Sequence, residues 1–181
     1  MMAVIFAKNS ERLKNKHNME VCGETMINRI SRILYETKIF DSIILFTKNY
    51  SLECNNCNTV CDYTNGILID SILYCIKTYN KFLAVGGDMP LIDYDIINKL
   101  IKSYNGKAIA YRNSNYYEPL FSIYNMSIYN NLKKYRDSGN GSISKFMSMY
   151  SINYVEINTL KLKSVNYYND LLIVRKYLNC I

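Results

Sequence analysis

A chain of 181 residues in which 49% are hydrophobic is long enough to bury a sizeable core and too apolar for a disordered polymer. The formal charge of +7, from 22 Lys+Arg against 15 Asp+Glu, favours an anionic partner. The basic residues are dispersed, however, and form no dense run of the kind that makes a nucleic-acid arm, and no apolar stretch is long enough to span a bilayer. Nucleic acid and membrane are therefore set aside, and a phosphate-rich small molecule is the expected partner. The opening Met1–Ala7 is apolar, but Lys8, Glu11 and Arg12 follow at once, which is not the order of a secretory leader. A cytoplasmic protein with one domain over residues 1–181 is expected.

In chain order, Ala3–Ala7 is a short continuous apolar run, as in a strand buried on both faces. A polar, basic segment, 8–18, follows it. Gly23–Glu36 carries Met26, Ile27, Ile30, Ile33 and Leu34 at helical spacing. Ser42–Phe46 is a second buried strand, and Thr59–Cys61 a weaker third. Ile67–Tyr79 is a helix. Lys81–Val85 is a fourth strand that runs into Gly86-Gly87-Asp88-Met89-Pro90, and Tyr94–Tyr104 is helical. In the second half Lys107–Tyr111, Leu120–Tyr124 and Asn153–Ile157 read as strands. Ile128–Tyr135, Ser142–Tyr150 and Asp170–Leu178 read as helices. Strands alternating with helices imply a three-layer α/β/α fold on a mainly parallel, Rossmann-like sheet. Ligands of such sheets bind at the carboxyl ends of the strands, so the segments after the first, second and fourth strands are expected to converge.

Two of those segments carry chemistry. Gly86-Gly87 allows a sharp turn and close backbone approach, and Asp88 stands just past a buried strand, where a carboxylate is a good hard ligand for Mg²⁺. The same pattern also fits a plain turn whose Asp caps the next helix. After the first strand, Lys8, Arg12, Lys14 and Lys16 fall within one loop, which suits a triphosphate. Nucleotidyl transfer builds charge on the α-phosphate and on the leaving pyrophosphate, and cations offset it. Taken alone, this loop matches no phosphate-loop signature and reads as a solvated basic loop.

Together these segments resemble the nucleotidyltransferases of the molybdenum cofactor guanylyltransferase type, within the wider nucleotide-sugar pyrophosphorylase-like (nucleotide-diphospho-sugar transferase-like) group. Phe6-Ala7, Ser10, Arg12, Leu13 and Lys16 follow the order of the family's first loop, with an Arg-to-Lys spacing closer to that of the sugar-acid cytidylyltransferases. Val21-x-Gly23-x-Thr25-Met26-Ile27, Thr47-x-Asn49, Asp62 with Gly66, Gly87-Asp88-Met89-Pro90-Leu91, the Tyr117–Tyr124 strand with its Glu-Pro-Leu-Phe, Gly139-x-x-Ser142 and Val165–Leu171 follow in family order. The chain departs from the pattern at the loop's two glycines, where Lys8 and Asn9 stand, and at Ser164 and Tyr167-Tyr168.

The resemblance implies a Mg²⁺-dependent enzyme that moves a nucleoside monophosphate, GMP from GTP first and CMP from CTP second, onto a phosphorylated small molecule such as molybdopterin. A cobinamide phosphate or a sugar acid is the alternative acceptor, and a catalytically silent nucleotide-binding domain the alternative of another class. By the same implication Arg12 and Lys16 hold the triphosphate. Asp88, with Asn166 as second contact, holds Mg²⁺. Ala7, Ser10, Asn49, Asp62 and Gly66 border the nucleotide, and Glu118 faces the acceptor.

Six cysteines are expected to be free thiols in a reducing compartment. Cys54-x-x-Cys57 with Cys61 is half of a zinc signature, with Cys22, Cys75 or His17 as the missing ligand. His17, next to Lys16, is expected to face solvent. The 18 tyrosines read as packing residues.

Overall fold

A computed structural model of the chain describes residues 1–8, 10–49, 51–64 and 66–180. Its strands are β1 (Met2–Ala7), β2 (Glu20–Val21), β3 (Glu24–Thr25), β4 (Ile43–Thr47), β5 (Asn58–Cys61), β6 (Lys81–Gly86), β7 (Ile109–Asn113), β8 (Tyr116–Asn125) and β9 (Asn153–Glu156). Its α-helices are α1 (Met26–Glu36), α2 (Leu68–Tyr79), α3 (Tyr94–Ser103), α4 (Tyr129–Asp137), α5 (Ile143–Met149) and α6 (Tyr168–Tyr177). The main sheet has the order β5-β4-β1-β6-β8-β7-β9. All its neighbours run parallel except β8, which is antiparallel to both β6 and β7. This is the mainly parallel α/β sheet expected from the strand–helix alternation.

The central strands are apolar throughout because both faces are covered. Alternate residues point to opposite faces, so Ala3, Ile5, Leu83 and Val85 meet α1 and α3 through Ile27, Ile30, Leu34, Ile97 and Leu100. Val4, Phe6, Phe46 and Phe82 meet α2, α4 and α5 through Ile72, Ile76, Leu132 and Phe146. Helix starts are fixed by side chains that accept otherwise unpaired N–H groups. Thr25 accepts from Asn28, Asp93 from Ile96 and Ser142 from Lys145.

Three differences from the sequence reading bear on the site. Helix α1 begins at Met26, not Gly23, because Glu20–Thr25 forms the hairpin β2–β3. Its two-residue turn, Cys22-Gly23, holds φ at 55° and 81°, the geometry of the tight primed turns. Strand β8 runs from Tyr116 through Pro119 to Asn125. Proline is tolerated there because the ladder to β6 ends at Val85–Phe121, while that to β7 jumps from Ser122 to Glu118. The chain end folds back. Val165 N donates to Asp88 O at 2.8 Å, and Val165, Leu171 and Val174 join Val21, Met26 and Leu91 in a third, smaller core.

The expectation of free thiols is corrected for four cysteines. Cys22 in the hairpin turn is joined to Cys180, and Cys54 to Cys57. The hairpin turn and the end of α6 lie side by side, a proximity that a separation of 158 residues hides. Cys61 and Cys75 are free. Among the described residues no group of three or more His, Cys, Asp or Glu gathers into a metal site, so the half zinc signature is not completed there. No helix is long and apolar enough to cross a membrane among the described residues.

Candidate active site

Strands β4, β1 and β6 are neighbours and parallel, so their carboxyl ends at Thr47, Ala7 and Gly86 lie at one edge. A cleft of about 430 Å³ opens there. Lys8, Ser10, Arg12 and Lys16 line it from the loop after β1, Asp88 from the turn after β6, Leu120 from β8, and Asn166 from the returning chain end. Of the ten residues the resemblance implicates, five therefore share one cleft: Ser10, Arg12, Lys16, Asp88 and Asn166.

At its floor, Lys16 Nζ donates to Asp88 Oδ2 at 2.5 Å and to Asn166 Oδ1 at 3.2 Å. Both charged side chains are largely withdrawn from water, Lys16 at 8% exposure and Asp88 at 16%. A left-handed Asn15, with φ 54°, ends the loop and starts the 3₁₀ turn of Lys16–Asn18. Arg12 and Lys14 stay exposed, free to reach a polyanion. Ser10 Oγ accepts from Leu13 N at 3.3 Å and turns the loop locally.

The two glycines before Asp88 serve close approach rather than left-handed backbone, since neither has positive φ. A Cβ on Gly86 would stand 2.9 Å from Asp88 Oδ1. One on Gly87 would stand 2.9 Å from Ile27 Cδ1 and 3.2 Å from both Ala7 Cβ and His17 Nδ1. The missing side chain at Gly86 leaves room for the Asp88 carboxylate, and that at Gly87 lets the turn pack against Ala7, Ile27 and His17.

The other implicated residues lie around this floor. Ala7 is fully buried, and its carbonyl accepts from Thr47 Oγ1 at 2.7 Å. Asp62 is buried, and its oxygens accept from Thr64 N, Thr64 Oγ1 and Ser71 Oγ at 2.5–2.9 Å. Burial pushes its carboxyl upward, but these donors and Lys8 prevail and hold it below the usual range. Asn49 turns its side-chain oxygen onto Ser51 N and Oγ and does not line the cleft. Lys8 bridges the two groups. It lines the cleft, and its Nζ donates to Gly66 O at 2.8 Å and lies 3.8 Å from Asp62. Burial lowers its ammonium, Asp62 opposes that, and Lys48 adds to it. So one missing glycine is replaced by a cation that spans from the first loop to the Asp62–Gly66 segment. Asn9, at the other, lies outside the described residues.

Glu118 lines a separate cavity of about 250 Å³ together with Tyr116, Leu160 and Lys163. Burial pushes its carboxyl up to about 7, the Leu120 N–H opposes this, and Asp88 adds to it. A carboxyl raised in the folded state binds more protons there than in the unfolded chain, so stability falls as pH rises from the usual carboxylate range near 4.5 to about 7 and then levels off. Urea unfolding across this window is expected to show that slope in the wild type and its loss in Glu118→Gln. Equal slopes in the two proteins would contradict the raised carboxyl.

His17 corrects an expectation. It does not face solvent but is 6% exposed, with Nδ1 2.9 Å from Gly87 O and Nε2 2.9 Å from Lys8 O. A lone histidine amid lysines carries no sequence signal for such a position.

The residues at the floor fit a hard divalent cation. An anionic carboxylate oxygen and an amide oxygen already converge on one positive centre, the Lys16 ammonium. Mg²⁺ takes oxygen ligands of this kind, one or two from protein and the rest from phosphates and water. Asp88 and Asn166 are the groups that would hold it.

The sequence profile of the MobA-like NTP transferase domain matches residues 3–153. The chain belongs to that family. No curated protein matches it in sequence. Among solved structures it is similar to molybdopterin-guanine dinucleotide biosynthesis protein A from Archaeoglobus fulgidus, at a TM-score of 0.75 and 16% identity over 100% of both chains. It is also similar to a cytidylyltransferase from Leptospira borgpetersenii (0.71, 15% identity, 99% of this chain and 87% of that one). A third is 2-C-methyl-D-erythritol 4-phosphate cytidylyltransferase from Thermus thermophilus (0.71, 8% identity, 98% of each). At such identities the likeness is one of fold. The family membership makes the chain a nucleotidyltransferase-type protein, and its MobA-like domain supplies the first loop, the Asp88 turn and β8 of the cleft.

Proposed function

We propose that this MobA-like protein transfers a nucleotidyl group from a Mg²⁺–nucleoside triphosphate to a phosphorylated small molecule and releases pyrophosphate. GTP is the first donor to test, with molybdopterin as its acceptor. CTP is the second, because the Arg12–Lys16 spacing resembles that of sugar-acid cytidylyltransferases. The observation that carries this reading is the convergence of Lys16, Asp88 and Asn166 at the floor of a basic cleft.

The acceptor phosphate is already an anionic nucleophile. One of its oxygens attacks the α-phosphorus, a new P–O bond forms, and the bond to the bridging oxygen of the β-phosphate breaks. No general base is required, so positioning and charge supply the rate. Bound Mg²⁺ would neutralise phosphate charge and orient the triphosphate. Lys16 and Arg12 face the charge that grows on the α-phosphate and the leaving group. Lys8 lies toward the nucleoside end, beside Asp62 and Gly66. Glu118, in β8 beside the second cavity, faces the acceptor.

The test is pyrophosphate release by the full chain with each of GTP, CTP, ATP and UTP, with Mg²⁺ or EDTA, against a panel of phosphorylated acceptors that includes molybdopterin. Release with one base, requiring both metal and acceptor, is the expected result. A Mg²⁺-dependent triphosphate complex that releases no pyrophosphate with any of the acceptors would instead mark a binding domain.

A further inference from the structure

The proposed mechanism leaves unused a buried imidazole beneath the site. His17 follows Lys16 in one short 3₁₀ turn. Lys16 reaches Asp88 and Asn166, while the next side chain, His17, sets its two ring nitrogens 2.9 Å from two main-chain carbonyls, both acceptors, of which a neutral ring donates to one at a time. One carbonyl, of Lys8, belongs to the first loop. The other, of Gly87, belongs to the turn that carries Asp88.

That second contact has a geometric consequence. A peptide unit is planar, so fixing the Gly87 carbonyl fixes the plane from which the Asp88 Cα departs. Gly87 leaves room for the ring, since a Cβ there would crowd His17 Nδ1 at 3.2 Å. The ring, the missing side chain and the carboxylate direction thus form one arrangement. Groups that orient a metal ligand commonly alter metal affinity without touching the metal.

The geometry points to His17 as a positioning residue for the metal–triphosphate site. It ties the first loop to the Asp88 turn and keeps Asp88 and Lys16 in register. This rests on the nucleotidyltransferase reading above and adds the residue that joins its two loops.

The test compares wild type with His17→Asn, His17→Gln and His17→Ala by titration calorimetry. The probes are GTP and CTP, each with Mg²⁺ and with EDTA, and the readout is the factor by which Mg²⁺ tightens nucleotide binding. Asn sets its amide nitrogen near the Nδ1 position and can donate to Gly87 O, while Gln sets its own near Nε2 and can donate only to Lys8 O. Loss of an orienting partner typically costs about tenfold or more in metal affinity. The Mg²⁺ enhancement is therefore expected to fall by roughly tenfold in His17→Ala, with Asn recovering more of it than Gln. A merely structural role would not rank the two amides in this order.

An unchanged enhancement in His17→Ala, or Gln outperforming Asn, overturns the positioning role while leaving the nucleotidyltransferase reading intact. No enhancement in the wild type overturns that reading, and this one with it. Should the Ala variant fail to fold, the order of the two amide variants still decides.

Discussion

Asp88→Ala is expected to lose Mg²⁺-dependent turnover, by about a thousandfold, the several kcal/mol that metal-based charge stabilisation supplies. The carboxylate supplies the anionic oxygen that accepts from Lys16, the same ammonium that Asn166 bonds. Asn166 alone offers a neutral amide oxygen, too weak to hold Mg²⁺ between protein and phosphates. Steady-state kinetics over a Mg²⁺ series make the measurement. The loss should appear in kcat/KM and persist at saturating metal. A variant rescued by more Mg²⁺ would have a weakened metal site rather than an abolished one. Wild-type rates would remove Asp88 from the chemistry altogether.

Lys16→Met should fail in a different way. Methionine keeps the apolar stem but removes the ammonium, and Asp88 is left as an uncompensated, mostly buried charge. Breaking such a pair costs on the order of 3 kcal/mol. Without metal, Lys16→Met should thus be markedly less stable than wild type in urea unfolding. Added Mg²⁺ should stabilise it more than wild type, because a cation then replaces the ammonium that balanced Asp88. Turnover should still be lost, since the metal cannot also take the role of Lys16 toward the α-phosphate. Asp88→Ala therefore abolishes the response to Mg²⁺, whereas Lys16→Met enlarges it. Equal Mg²⁺ responses in both variants would mean that the two side chains do not share one cation-binding point.

Much of this architecture is legible in the chain itself. Val4–Ala7, Ile43–Phe46 and Phe82–Val85 are continuous apolar runs because both faces of those strands are covered, and their order with the intervening helices gives the parallel half of the sheet. The Gly-Asp-Met-Pro motif places Asp88 at a strand end, where the structure has it. The hairpin Glu20–Thr25 is hidden because its strands have two residues each and Cys22 is no usual turn residue. The run of β8 across Pro119 is hidden because tolerance of proline depends on where the neighbouring ladders end, which is a tertiary property. The partners of Cys22 and His17 are likewise set by distant segments: the chain end for one, the Gly87 turn for the other. What the motifs convey least is the surroundings of Asn49 and Asp62. Their types suit a nucleotide, but their oxygens already serve Ser51, Thr64 and Ser71.

The most direct measurement is a thermal-shift panel on wild type and Asp88→Ala, with GTP, CTP, ATP and UTP each in Mg²⁺ and in EDTA. A ligand at about a hundred times its dissociation constant adds roughly 2.7 kcal/mol of stability, which such a panel resolves. The account predicts a Mg²⁺-dependent shift with one base in the wild type and its disappearance in Asp88→Ala. No shift with any nucleotide, or an undiminished one in the variant, would contradict a metal–triphosphate site at the ends of β1 and β6.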